Sequence, residues 1–147
     1  MGQLRISDDR SELDVDLIHR FLSRETYWSK GIPRETVERA IAGSLCFGGY
    51  LEGEGQVAFA RVVTDGATFG YLADVFVLPE YRGRGFSKQL MAAVMAHPQL
   101  QGLRRFMLAT SDAHGLYARF GFREPARPRT LMEILRPDIY QSAAATA

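Results

Sequence analysis

Between Tyr81 and Leu90 the chain reads YRGRGFSKQL. Gly83 and Gly85 alternate with Arg82 and Arg84, and Lys88 follows three residues later. The stretch lies after an apolar run and before a helix-like one. Glycine costs chain order, so its use here asks for backbone that no side chain covers. A loop leaving a strand and entering a helix turns main-chain N–H groups outward, and the helix start adds about half a positive charge. Bare N–H groups beside cations suit a phosphate or pyrophosphate. Two common phosphate loops are excluded by spacing. GRGFSK lacks the GxxxxGK[ST] pattern, and Lys88 stands where GxGxxG carries its third glycine. A tight turn ahead of a helix is the alternative that the local residues leave open.

Other residues able to do chemistry are scattered. Asp74 follows Leu72 and precedes Val75 and Phe76. An unpaired carboxylate is costly to bury in such company, which leaves it as a base, a contact for an amine, or a cap on nearby backbone. ETYWSKGIP (Glu25 to Pro33) sets adjacent aromatics, Tyr27 and Trp28, in a loop bounded by Gly and Pro. Those rings either wall a pocket or plug the core. Glu25 begins that loop, as a pocket group or a surface ion-pair partner. Arg61 lies mid-strand, facing an anion or solvent. His19 and His97 lie at the periphery, and His114 is expected to face solvent. No metal site is expected.

The elements that must position these residues can be read from periodicity. Asp14 to Arg24 has Leu17, Ile18, Phe21 and Leu22 on one helical face. Pro33 opens a second helix and Gly43 closes it. Three strand-like runs follow, Leu45–Tyr50, Gln56–Thr64 and Thr68–Leu78, with LEGEG and TDG as turns. Phe86 to Ala96 is helical, Arg105 to Thr110 a short strand, and Asp112 to Phe120 a short helix capped by Asp112 and closed by Gly121. A final strand pair is expected near Phe122–Glu124 and Arg129–Leu135. The order (β)ααβββαβαββ, with its first strand at Leu4–Ile6, gives an α/β (α+β) fold. It implies a mixed, mostly antiparallel central sheet flanked by helices, because the crossover from Val75 to Thr110 is long enough to join parallel neighbours.

Length bounds the rest. A chain of 147 residues with 46% apolar and 24% charged content makes one globular domain over residues 1–147, with the tail from about 141 to 147 frayed. Net charge is +1, which argues against a nucleic-acid partner. It divides unevenly, −3 over residues 1–73 and +4 over 74–147, so the second half suits an anionic ligand. No apolar run reaches membrane-spanning length. The start MGQLRISDDR carries no signal-peptide core. With one cysteine, Cys46, and no disulfide framework, a cytoplasmic location is expected.

DVFVLPEYRGRGFSKQLMAAV (Asp74 to Val94) resembles the acetyl-CoA loop of the GNAT superfamily, the acyl-CoA-dependent N-acetyltransferases. Val77, Pro79 and Tyr81 match that family's lead, and Arg82, Gly85 and Ser87 its loop positions, Ser87 standing where Gly or Ala is usual. ATSDAHGLYARFGF resembles a later family segment through Ala113, Tyr117, Gly121 and Phe122, with Thr110 in place of its Asn. The resemblance implies transfer of an acetyl group from acetyl-CoA to an amine acceptor. It implies that Val75, Phe76 and Val77 hold the pantetheine arm through main-chain groups. It implies that Arg82, Gly83, Arg84, Gly85, Phe86 and Ser87 hold the pyrophosphate, and that Thr110 takes the place of a CoA contact. It makes Tyr117 the candidate proton donor, against a plain packing role, with Asp74 a candidate catalytic carboxylate. Glu25, Tyr27 and Trp28 fall in the loop that shapes the acceptor site. A homodimer is common in the family. The competing reading is a noncatalytic acyl-CoA sensor.

Overall fold

The computed structural model describes residues 3–141. Five strands form one sheet in the order β1 (Arg5–Ser7), β2 (Leu45–Leu51), β3 (Gly55–Thr64), β4 (Phe69–Val77) and β5 (Arg105–Leu108). The first four pair antiparallel in sequence order, and β5 lies parallel to β4. The helices are α1 (Val15–Glu25), α2 (Arg34–Ala42), α3 (Phe86–Ala96) and α4 (His114–Ala118). α3 is the crossover between the two parallel strands.

Local chemistry explains the boundaries. Asp14 Oδ1 accepts from the Leu17 N–H at 3.0 Å and starts α1. Pro33 precedes the first turn of α2, and Gly43 ends it. In the turn between β3 and β4, Asp65 accepts from the Thr68 hydroxyl and from the N–H groups of Thr68, Ala67 and Phe69. These bonds hold its carboxyl well below the ordinary carboxylate range.

Each sheet face has its own core. On one, α3 buries Phe86, Leu90, Met91 and Val94 against Val57, Ala58, Ala60, Val62 and Leu72. On the other, α1 and α2 bury Ile18, Phe21, Leu22, Val37 and Ile41 against Cys46, Phe59 and Phe76. The Phe21 and Phe76 rings stack with centroids 4.1 Å apart, fixing α1 against β4.

Two expectations are corrected. The strand pair at Phe122–Glu124 and Arg129–Leu135 does not form: residues 122–136 make no sheet pairing and contain only a short helical turn at Pro128–Thr130. A strand pattern needs a neighbour to receive its hydrogen bonds, and within this chain that stretch has none. Asp112 does not cap α4 either. The helix starts two residues later, and Thr110 Oγ1 accepts from the Ala113 N–H at 3.0 Å. The expected fraying of the tail concerns residues of which 142–147 lie outside the described part. Among the described residues no helix is long and apolar enough to cross a membrane.

Cys46 is buried beneath α2, and burial pushes its thiol up to about 11. Native protein at pH 8 should therefore leave Cys46 unmodified by iodoacetamide, with stoichiometric labelling only in denaturant. Mass spectrometry of both samples checks this; rapid native labelling would contradict the burial.

Candidate active site

The site begins where the sheet comes apart. β4 and β5 pair from Phe69↔Arg105 to Leu72↔Leu108, and there β5 stops. β4 runs on to Val77 with no strand on that side. On its other side the register with β3 slips: Phe59 pairs with Phe76 and Arg61 with Ala73, so Asp74 and Val75 together oppose Ala60. This is a β-bulge, which bends a strand and re-aims its groups.

Asp74 carries the bulge at φ +55°, the one non-glycine residue at positive φ among the described residues. An L-residue there costs roughly 1–2 kcal/mol, so its contacts must hold it. Its Oδ2 accepts from Arg61 Nε at 2.9 Å and its Oδ1 from Trp28 Nε1 at 3.0 Å. The side chains of Arg61 and Asp74 are 18% and 8% exposed. Arg61 Nη1 also donates to Ser44 Oγ at 3.1 Å. The bulge, the α1–α2 loop and the start of β2 are thus tied through one carboxylate.

The open side of β4 faces a cavity of about 550 Å³. Its floor is Val75, Phe76 and Val77, and its far end is the loop Tyr81–Ser87. Gly83 and Gly85 both sit at φ +79°. A Cβ on either would meet no atom within 4 Å, so the backbone conformation, not crowding within the chain, selects glycine. The first bond inside α3 runs from the Gln89 N–H to the Gly85 carbonyl at 3.1 Å. The N–H groups of Phe86, Ser87 and Lys88 therefore lack intrahelical partners. No side chain caps this helix. Arg82 Nε donates to the Val77 carbonyl at 2.9 Å, which straps the loop to the end of β4. Arg84 lies over the Tyr81 ring at 5.3 Å and does not line the cavity.

One wall comes from α4: Asp112, Ala113, Leu116 and Tyr117. Tyr117 is buried, and burial, followed by the charge of Asp112, pushes its phenol above the ordinary tyrosine range. Its hydroxyl has no hydrogen-bond partner among the described residues. The opposite wall comes from α1 and its following loop: Phe21, Glu25, Thr26, Tyr27 and Trp28. Tyr27 and Trp28 meet edge to face at 5.1 Å and are both exposed. Tyr27 donates from its hydroxyl to Ser111 Oγ at 3.1 Å, bridging the two walls. Thr26 Oγ1 donates to the Leu22 carbonyl at 2.6 Å and accepts from the Ser29 N–H at 3.2 Å, which fixes the loop on the end of α1. The cavity is polarised: cationic Arg82 lines its loop end, with Glu25 and Asp112 also at its wall.

The fold thus gathers Glu25, Tyr27, Trp28, Val75, Phe76, Val77, Arg82, Gly83, Gly85, Phe86, Ser87 and Tyr117 around one space. Asp74 lines a separate small cavity under α2. The Thr110 hydroxyl is engaged at the start of α4. Phe21, Tyr81 and Asp112, expected from the sequence as core, loop lead and cap, also line the main cavity, as does Leu116, which no sequence signal marked. The single signal for Asp112 was its place beside the Tyr117 helix. His97 and His19 are structural: His97 Nε2 lies 2.8 Å from Asp8 Oδ2, and His19 Nε2 lies 3.0 Å from the Ile32 carbonyl.

Comparison with known proteins decides the family. The model of the acetyltransferase (GNAT) family matches residues 15–122. The chain belongs to the GNAT family. A GNAT-family protein from Xanthomonas campestris pv. campestris is 64% identical, with 95% of this chain and 98% of that one covered and a TM-score of 0.92. A Gibberella zeae protein named for acetyltransferase activity is 35% identical over 139 residues, covering 80% of this chain and 77% of its own. A Clostridium acetobutylicum acetyltransferase, solved with acetyl-CoA, shares the fold at 15% identity and a TM-score of 0.64, over 92% and 96% of the two chains. The protein is an acyltransferase of this family, whose members use acetyl-CoA.

The GNAT bulge predicts its own energetics. Asp74→Ala removes both contacts, leaves Arg61 half-enclosed without its partner, and should cost about 2–3 kcal/mol, somewhat less than a fully buried pair. Asp74→Gly loses the same contacts and sheds the backbone strain, so it should cost about 1 kcal/mol less than the alanine variant. Urea unfolding of the three proteins measures both; equal losses would contradict strain at this position.

Proposed function

We propose that this acyltransferase moves an acetyl group from acetyl-CoA directly to a primary amine, on a small molecule or a protein. One observation carries the reading. The unpaired stretch of β4 runs straight into a loop whose main-chain N–H groups lack partners, and both open into the cavity that holds Tyr117. On that side the free backbone groups come from Val75 and from the Val77 N–H, the Val77 carbonyl being held by Arg82, and they lead to the unpartnered N–H groups of the loop. These groups fit a long, narrow ligand with a diphosphate at one end.

Bound acetyl-CoA supplies an acyl thioester, whose carbon bonds to the amine nitrogen as the bond to sulfur breaks. The chain's own residues do the rest. Main-chain groups of Val75, Phe76 and Val77 hold the arm, and N–H groups there are placed to stabilise charge on a carbonyl oxygen. N–H groups from Gly83 to Ser87, with Arg82 and the dipole of α3, neutralise the diphosphate. The Tyr117 hydroxyl gives its proton to the leaving sulfur. Its raised pKa keeps that proton in place throughout the neutral range. Glu25 attracts the acceptor ammonium at the opposite wall, and Tyr27 and Trp28 flank the amine's carbon chain; the nitrogen loses one proton to solvent water before it attacks and a second as the amide forms, and water returns a proton to Tyr117. Asp74, with both oxygens engaged by Arg61 and Trp28, serves as a positioning residue for that wall. A cytoplasmic location belongs to the same reading, supported by a single cysteine and no disulfide framework.

Thermal unfolding with increasing acetyl-CoA tests the binding step. A ligand at ~100 times its Kd stabilises the native state by about 2.7 kcal/mol. The midpoint should therefore climb with concentration in wild type and stay flat in Gly85→Glu, where a charged side chain enters the cradle at a positive φ. A flat wild-type curve overturns the acetyl-CoA reading. With any amine that turns over, Tyr117→Phe should lower kcat by roughly 10²-fold or more with little change in KM. Wild-type activity should hold until above about pH 10, because burial keeps the phenol protonated beyond the ordinary tyrosine value. An unchanged kcat in the phenylalanine variant would remove Tyr117 from the chemistry.

A further inference from the structure

The end of the cavity away from the glycine loop carries charge that the protein itself leaves unanswered. Glu25 lines it from the end of α1, and Asp112 from the segment before α4. Neither carboxylate enters an ion pair or a side-chain hydrogen bond among the described residues. Arg82 is the one cation at the cavity wall among those residues, and it sits at the loop end, tied to the Val77 carbonyl. Arg24, Lys30 and Arg119 lie close in sequence to the two carboxylates, yet none of them lines the cavity. Tyr117 lines the same space, 9% exposed, and its hydroxyl has no partner among the described residues. A polar group so enclosed and unpaired marks a place that a ligand completes.

One side chain sets the separation of the two walls. Tyr27 donates from its hydroxyl to Ser111 Oγ at 3.1 Å. Glu25 stands two residues before Tyr27, and Asp112 directly after Ser111. The carboxylates therefore belong to walls that a single tyrosine spans, a gap that a short aliphatic chain also spans. Two rings are held along it, Tyr27 by Ser111 and Trp28 by Asp74. They are 67% and 44% exposed, so their surfaces are open to a ligand. Aromatic faces attract cations and cover methylene groups.

We infer, resting on the acetyl-transfer reading above, that the acceptor is a diamine, one cationic end received by Glu25 and the other by Asp112 across the cavity. One nitrogen gives up its protons to water and takes the acetyl group, and the other stays an ammonium. The same walls act against an anionic substituent. A carboxylate or phosphate on the acceptor would meet two like charges there and no arginine or lysine. Amino acids and sugar phosphates are disfavoured for that reason, and a diamine gains an ion pair that a monoamine lacks.

Cadaverine is n-pentylamine with a second amine, and lysine is cadaverine with an added carboxylate. With saturating acetyl-CoA, release of CoA should give cadaverine a kcat/KM at least about fivefold above either of the other two, the worth of one exposed ion pair. Calorimetric titration into the CoA-bound protein should show the same order of affinity without turnover. Asp112→Asn should bring the ratio of cadaverine to n-pentylamine near one, and Asp112→Glu should restore it. Parity between cadaverine and n-pentylamine in wild type, a preference for lysine, or a preference that survives Asp112→Asn would overturn the diamine. So would binding of acetyl-CoA with no turnover of any of the three amines, an outcome that leaves the cofactor reading standing. A melting midpoint indifferent to acetyl-CoA would remove both.

Discussion

The site depends on keeping an aspartate in a conformation that aspartate does not favour. Asp74 at φ +55° makes the bulge, and the bulge turns β4 at the point where β5 ends. A regular β4 would continue its ladder and leave no gap for a ligand. Arg61 and Trp28 hold the carboxylate, so the strain is offset by an ion pair that is mostly screened from water and by an indole hydrogen bond. Trp28 is at once a restraint on the bulge and a wall of the cavity, which couples the strand defect to the acceptor side.

The two ends of the cavity obey different rules. At the loop end backbone N–H groups are left without partners, and side-chain identity counts for little there once Gly83 and Gly85 permit their φ. Ser87 lines the cavity from the first turn of α3, where its N–H lacks an intrahelical partner. At the other end the wall is made of side chains, among them Glu25, Tyr27 and Trp28, on a segment whose own hydrogen bonds tie it to α1.

Much of this was legible beforehand, for particular reasons. The helix Phe86–Ala96 has the same bounds in sequence and structure, because a glycine start and a clean apolar face admit one solution. The meander β2–β4 follows from apolar runs separated by turn residues. The glycine loop was visible in composition alone, and its two glycines take positive φ beside the cavity. The start of α4 was misplaced because Asp112 is a good cap by residue type, whereas the helix begins past it at His114 with no side-chain cap, Thr110 accepting from the Ala113 N–H just ahead of it. The last strands were over-read because LMEIL has a strand's alternation with no neighbour in its own chain.

By itself the sequence determined most of the elements, the glycine loop and the family, all of which rest on local periodicity or on residues adjacent in the chain. Only the tertiary structure decided what Asp74 does. Its partners Arg61 and Trp28 lie 13 and 46 residues away, and a carboxylate's role is set by what its oxygens meet. It also decided which residues share the cavity, joining the end of α1 to α4 across β4. Such neighbours are fixed by how a bulged strand and two helices pack, and no spacing along the chain encodes that.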